Sequence, residues 1–147
     1  YTTPIIELGK CQTITYKFAE KLDTDKYLGR WYEQLRTNSI IFEQGDCVTA
    51  TYSLNPDNSI RVNNTQQVNG VKEIILGNAI RTSNPRGLKV SFSGQPDIGG
   101  DEANYVVYET DYTRYTIVYS CSDIIGGICK TELLWILSRT PNLEAKL

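Results

Sequence analysis

Asn69-Gly70 stands between two runs in which apolar and polar residues alternate, 59–67 and 71–81. Asn-Gly supplies the left-handed positions of a two-residue hairpin turn, so these runs are expected to be antiparallel neighbours. The same grammar repeats along the chain. Further runs at 30–38, 47–54, 88–94, 104–110, 114–121 and 131–139 are rich in Tyr, Val, Ile and Thr. Asn55-Pro56-Asp57-Asn58, Asn84-Pro85-Arg86-Gly87 and Asp111-Tyr112-Thr113-Arg114 mark short turns, and "SGQPDIGGDEA" and "SDIIGGICK" mark longer loops. Eight strands joined in order make an antiparallel meander. Its edges would invite aggregation, and closure into an up-and-down barrel removes them. A two-sheet sandwich is the competing arrangement. Helical signal is confined to the end, where Thr140-Pro141 fits a cap and first helical position and "NLEAKL" starts a short C-terminal helix.

Composition narrows the function more than the fold. The 147 residues are read as one domain, 1–147. A net charge of −2 gives no basic footprint, so nucleic acid is not an expected partner. The chain has no histidine, which excludes His-containing zinc sites and Ser-His or Cys-His catalysis. No metal site and no required cofactor are expected. The four cysteines, Cys11, Cys47, Cys121 and Cys129, form no CxxC pair. An even, widely spaced set suggests two disulfides and an oxidising compartment, with three connectivities open. The chain starts at Tyr1 without a charged and apolar leader, as a mature secreted form would. Asn63-Asn64-Thr65 is an N-glycosylation acceptor, which fits a secreted, extracellular glycoprotein.

Alternation assigns faces. Glu33 and Leu35 share a side with Trp31; Val48, Ala50 and Tyr52 form the next inward set, followed by Val62, Asn64 and Gln66. Ile75, Val90, Phe92, Tyr105, Val107, Thr116, Val118, Ser120, Leu133 and Trp135 continue it, and the small Gly77 and Ala79 are expected to leave room. An apolar interior with a few polar interruptions suits one amphipathic small molecule. The alternative is that these side chains simply fill the barrel. Glu33 is an acid inside an apolar wall and needs a partner. That partner is either a ligand N–H or a buried tyrosine or water network. Ile40, Ile41 and Phe42 form an apolar cluster in the first loop, as lid or as wall. Outside, Val106, Tyr108, Tyr115, Ile117 and Tyr119 make an aromatic patch suited to a homo-oligomer or a membrane-surface contact.

Three blocks together carry a family resemblance: "YLGRWYEQLR", "ETDYTRYTIVYSC" and "LLWILSRTP". They resemble the Gly-x-Trp opening of the first strand, the Thr-Asp-Tyr turn and the eighth-strand Arg block of lipocalins. "GDCVTATYSL" is similar to the apolipoprotein D branch, which includes bilin-binding proteins and the carotenoid-binding crustacyanins. The resemblance implies an eight-stranded barrel whose floor is closed by Trp31 under a cation–π contact from Arg139. Gly29 and the turn Thr110, Asp111 and Tyr112 are then structural. It implies a Cys11–Cys121 disulfide; Cys47–Cys129 is expected as the second, from loops at the same open end. It implies a non-enzymatic secreted carrier that holds a small hydrophobic molecule without a covalent bond. A linear tetrapyrrole such as biliverdin is the first candidate ligand, with Glu33 accepting from pyrrole N–H groups. A carotenoid, fatty acid, sterol or retinoid is the alternative. A lipocalin-type isomerase, which needs a free thiol inside the barrel, is the remote one.

Overall fold

The computed structural model describes residues 6–8, 20–36, 46–93, 103–124 and 129–142, with backbone alone at 6–8, 46, 121–124 and 129–133. Its elements run β1 (Ile6–Leu8), α1 (Thr24–Tyr27), β2 (Gly29–Arg36), β3 (Asp46–Leu54), β4 (Ile60–Val68), β5 (Val71–Arg81), β6 (Gly87–Phe92), β7 (Tyr105–Thr110), β8 (Tyr115–Ile124) and β9 (Cys129–Ser138). The eight runs read from the sequence are β2 to β9, each strand antiparallel to its neighbours in chain order. β9 pairs with both β8 and β2, so the eight-stranded sheet closes on itself as a barrel.

Two elements are additions to the sequence reading. β1 pairs with the start of β9, Ile6 opposite Thr131 and Leu8 opposite Cys129. It lies on the edge of β9 that β2 occupies further down, and three residues carry too little alternation to be read. α1 stands just before the first long strand, where no helix was expected. Asp23 caps it, its Oδ1 accepting from the Lys26 N–H at 3.3 Å. One turn of helix has no period to detect. The expected C-terminal helix start at 142–147 falls almost wholly outside the described residues.

The Asn69-Gly70 hairpin forms as expected, with Val68 opposite Val71 and both turn residues at positive φ. Three bulges interrupt the alternation: between Glu33 and Leu35, between Asp46 and Thr49, and between Val107 and Glu109. Each adds a residue to one strand and reverses its faces beyond that point. The β6–β7 ladder is short, with two residue pairs. The Asn104 side chain extends it by acting as a peptide group: its Oδ1 accepts from the Val90 N–H at 2.7 Å and its Nδ2 donates to the Val90 carbonyl at 2.8 Å.

The closed end is fastened by Arg139. Its guanidinium lies 3.8 Å from the centroid of the Trp31 ring. It also donates to the carbonyls of Tyr112 (2.9 Å), Arg30 (3.0 Å) and Lys26 (2.9 Å). Gly29 sits at φ +102°, and a Cβ there would come within 3.1 Å of Arg139 Nη1. The positive φ favours glycine, and a Cβ there would also press against the guanidinium. In the 110–115 turn, Asp111 Oδ1 accepts from the backbone N–H groups of Thr113, Arg114 and Tyr115. Thr110 Oγ1 accepts from the Tyr112 N–H and donates to the Tyr115 carbonyl. Gly29, Trp31, Thr110, Asp111, Tyr112 and Arg139 thus all meet at or beside this end of the barrel.

Candidate ligand cavity

The inward-facing residues fall into two groups by depth. Trp31, Ile60, Val62, Ala79, Leu88, Val107, Val118 and Leu137 are buried and packed together in the lower barrel. Asn64, Ile75, Val90, Phe92, Tyr105, Ser120 and Trp135 face inward and are only half-buried, whereas Glu33 faces inward with its side chain 7% exposed. The half-buried set marks the upper barrel as the candidate cavity, with six successive strands, β4 to β9, contributing to it.

Several expected lining residues sit elsewhere. Val62, Val107, Thr116 and Val118 are sealed in the lower core, at 1% exposure or less, and present no surface to the hollow. Gly77 does not leave room for a ligand: the Phe92 ring occupies that space, its Cδ1 lying 2.8 Å from where a Cβ would be. Leu35 is a correction. It was expected inside, and it is 49% exposed on the outer wall opposite Ile136. The bulge at Gln34 reverses the strand there and turns Arg36 inward, opposite Trp135. Val48, Ala50 and Tyr52 are inward and buried, and Gln66 is buried with its Nε2 donating to Glu73 Oε2 at 3.1 Å. Phe42 lies outside the described residues, as does the side chain of Leu133.

The same bulge identifies a partner of Glu33. Arg36 Nη1 is 3.4 Å from Glu33 Oε2, and the two side chains are 17% and 7% exposed. A ligand N–H, a buried tyrosine or a water network was expected beside Glu33, and the structure adds an ion pair inside the wall. Sequence alternation hid Arg36 because one unpaired residue shifts the whole strand end to the other face. Beneath the hollow, an aromatic column rises from the floor: Trp31 to Tyr27 at 5.3 Å, Tyr27 to Tyr52 at 5.7 Å, and Tyr52 to Tyr105 at 6.2 Å between centroids. Tyr27 was missed because a single helical turn leaves no period in the sequence. Its burial pushes the phenol up to about 12, against weaker lowering by its hydrogen bonds to Thr116 and Tyr105.

The cysteine reading needs one correction. Cys47 is a free, exposed thiol, so the expected Cys47–Cys129 bond is not formed. Tyr32 lies opposite Thr49 on β3 and Ser138 on β9. Cys47 is two residues toward the open end from that row and Cys129 is nine, a separation of about 23 Å along the strands. Cys11 and the side chains of Cys121 and Cys129 lie outside the described residues. On the outer wall, Tyr108 and Leu134 are exposed, Tyr115, Ile117 and Tyr119 are half-buried, and Val106 is buried. Asn63 faces outward between Thr51 and Leu76, as a glycan would need.

A family model described as the lipocalin-like domain matches residues 22–147. The chain is a lipocalin. It is 36% identical to apolipoprotein D of Macaca fascicularis over 143 residues, covering 95% of this chain and 71% of that protein. Among solved structures it resembles lobster apocrustacyanin A1 with a TM-score of 0.69 at 25% identity, covering 84% of this chain and 66% of that one. Insecticyanin of the tobacco hornworm Manduca sexta shares the fold, with a TM-score of 0.74 at 24% identity over 97% of this chain and 76% of that one. The lipocalin family supports a carrier of a small hydrophobic ligand. The exposed position of Cys47 also leaves the barrel without that thiol as an internal nucleophile.

Proposed function

We propose that this lipocalin is a secreted carrier whose hollow holds one amphipathic molecule non-covalently, with a linear tetrapyrrole as the ligand class that matches its wall best. The observation that carries the reading is the ring of inward, half-buried residues from Asn64 to Trp135, with the Glu33–Arg36 pair beside it. Apolar area there stabilises a guest by roughly 25 cal/mol per Å² removed from water. The polar groups set its chemistry. Glu33 accepts from pyrrole N–H groups, Arg36 balances propionate carboxylates, and Phe92, Tyr105 and Trp135 offer flat surfaces to a conjugated system. A carotenoid, sterol or retinol uses the apolar wall but leaves the Glu33–Arg36 pair without a role, and a fatty acid would use Arg36 but not Glu33.

Titration with biliverdin tests this. Binding is expected to change the pigment's visible band and quench Trp135, and Glu33→Gln is expected to shift the bound band. No uptake of biliverdin, with saturable uptake of a carotenoid or fatty acid instead, would replace the ligand and keep the carrier. The same reading assigns the outer aromatic patch of Tyr108, Tyr115, Ile117 and Tyr119 beside Val106 to contact with a second copy, with a membrane surface as the alternative. Sedimentation that does not change with concentration would remove that assignment. The Asn63 glycan and the Cys11–Cys121 disulfide belong to the same extracellular reading, tested by glycosidase shift and by mapping of disulfide-linked peptides.

A further inference from the structure

Four hydroxyls meet at the base of the hollow, brought there by four separate elements: Tyr27 of α1, Tyr52 of β3, Tyr105 of β7 and Thr116 of β8. The Tyr27 and Tyr105 oxygens are 2.6 Å apart, and Tyr27 is 3.3 Å from Thr116 Oγ1. Tyr52 donates to Tyr105 at 3.0 Å. A hydroxyl can donate one hydrogen bond and accept two. Tyr105 accepts from Tyr52 and shares one bond with Tyr27. If it accepts from Tyr27, its own proton is left to donate; if it donates to Tyr27, a lone pair is left to accept. One hydrogen-bonding function of Tyr105 is therefore uncommitted by this cluster in either arrangement.

Tyr27 and Thr116 are buried at 2% and 0% exposure, and Tyr52 at 5%. Tyr105 is half-buried on the inward face of β7 and is the least buried of the four residues. Burial pushes the Tyr105 phenol well above its ordinary value, and the neighbouring Tyr27 and Tyr52 add to the shift. The relay is thus neutral at physiological pH. Among the described residues, Arg139 lies over Trp31 at the floor and Arg36 pairs with Glu33 on the β2 wall, and neither is seen hydrogen-bonded to the four hydroxyls. A carboxylate set against this neutral cluster would be desolvated against hydroxyls alone, whereas a single carbonyl or N–H would be satisfied by one hydroxyl.

We propose that Tyr105 is the deep recognition point of the cavity and that it takes an uncharged hydrogen-bonding end of the ligand, with any carboxylate left toward Arg36 and the mouth. This rests on the carrier reading above. For a tetrapyrrole, the buried end is a terminal lactam and the outer groups are the propionates. The relay's ability to donate or accept lets it meet either the N–H or the C=O of that lactam.

The test uses biliverdin and its dimethyl ester, each titrated into the wild type and into Tyr105→Phe, which keeps the ring against Tyr52 and removes the oxygen. Tyr105→Phe is expected to weaken both ligands by the same factor, about three- to ten-fold. A loss with the acid that vanishes with the ester would place a carboxylate at Tyr105 and overturn the inference, as would no loss with either. Should Tyr105→Phe fail to fold, the wild type decides: a dimethyl ester with its terminal lactams blocked as lactim ethers is expected to bind about three- to ten-fold more weakly than the unblocked ester, and equal binding would overturn the proposal. Wild type that binds none of these pigments would sink the tetrapyrrole reading and this inference together. Binding indifferent to both Tyr105 and the lactam would sink this inference alone.

Discussion

Replacing Arg139 by alanine should open the floor of the barrel, and the structure sets the size of the effect. Arg139 donates to carbonyls of Tyr112, Arg30 and Lys26 and covers the Trp31 ring at 3.8 Å. The Arg30 and Lys26 carbonyls are at the surface, so water replaces those bonds at a cost of about 0.5 kcal/mol each. The Tyr112 carbonyl is part-buried, and losing its charged donor costs about 1 kcal/mol. The cation–π contact adds about 1 kcal/mol. The total is about 3 kcal/mol, which at a urea slope of about 2 kcal/mol per M lowers the midpoint by about 1.5 M. Arg139→Lys keeps a cation near the ring but loses the planar fork, and should fall about halfway between. Urea unfolding followed by tryptophan fluorescence and circular dichroism measures both. An alanine variant within about 0.5 kcal/mol of wild type, below even the part-buried Tyr112 bond, would refute the view that this one side chain ties α1, β2 and the 110–115 turn together.

Three further outcomes follow from other contacts. Gly77→Ala would set its Cβ 2.7 Å from the Ser91 carbonyl, so it should destabilise by about 1–3 kcal/mol by thermal melting; a neutral result would mean that β5 and β6 shift freely there. Tyr27 has its phenol raised to about 12, so its stabilising share is complete below pH 10 and is lost as pH rises toward about 12. Tyrosinate absorbance should therefore lag for the buried tyrosines and then rise together with loss of circular dichroism; independent titration of all ten near pH 10 would contradict it. Asp111 is raised by partial burial but lowered more by the Tyr115 and Arg114 backbone N–H groups and the Arg114 side chain, with a net fall below its usual range. Its contribution is present above about pH 4 and is lost as pH falls through the lowered value. Asp111→Asn should be less stable at neutral pH and should flatten that acid limb, and an unchanged acid profile would remove Asp111 from the account.

The barrel was legible because it rests on local signals. Turn residues such as Asn69-Gly70 and period-two alternation need no knowledge of distant partners. The Trp31–Arg139 contact, 108 positions apart, came instead from the resemblance of two short blocks. The parts that were not legible depend on single-residue events. The bulge at Gln34 leaves no mark in composition, yet it exchanges Leu35 for Arg36 on the cavity face and gives Glu33 an ion-pair partner. Gly77 was read as space, and only the packing of Phe92 against it shows how that space is used. Likewise the Cys47–Cys129 pairing looked reasonable from loops at one end of a barrel, and strand register separates the two residues. Parity along a strand gives the face of a residue but not its depth. For that reason Val107 and Tyr105, two positions apart on one strand, were read alike and differ in their access to the hollow.

Native mass spectrometry of the protein taken from its natural source, with solvent extraction of whatever it carries, tests the central claim most directly. The account predicts a single small hydrophobic molecule per chain, released intact by organic solvent and taken up again by the emptied protein with quenching of Trp135. Bare protein that takes up no biliverdin, carotenoid, sterol, retinoid or fatty acid would contradict it, because the inward ring from Glu33 to Trp135 would then surround no usable space.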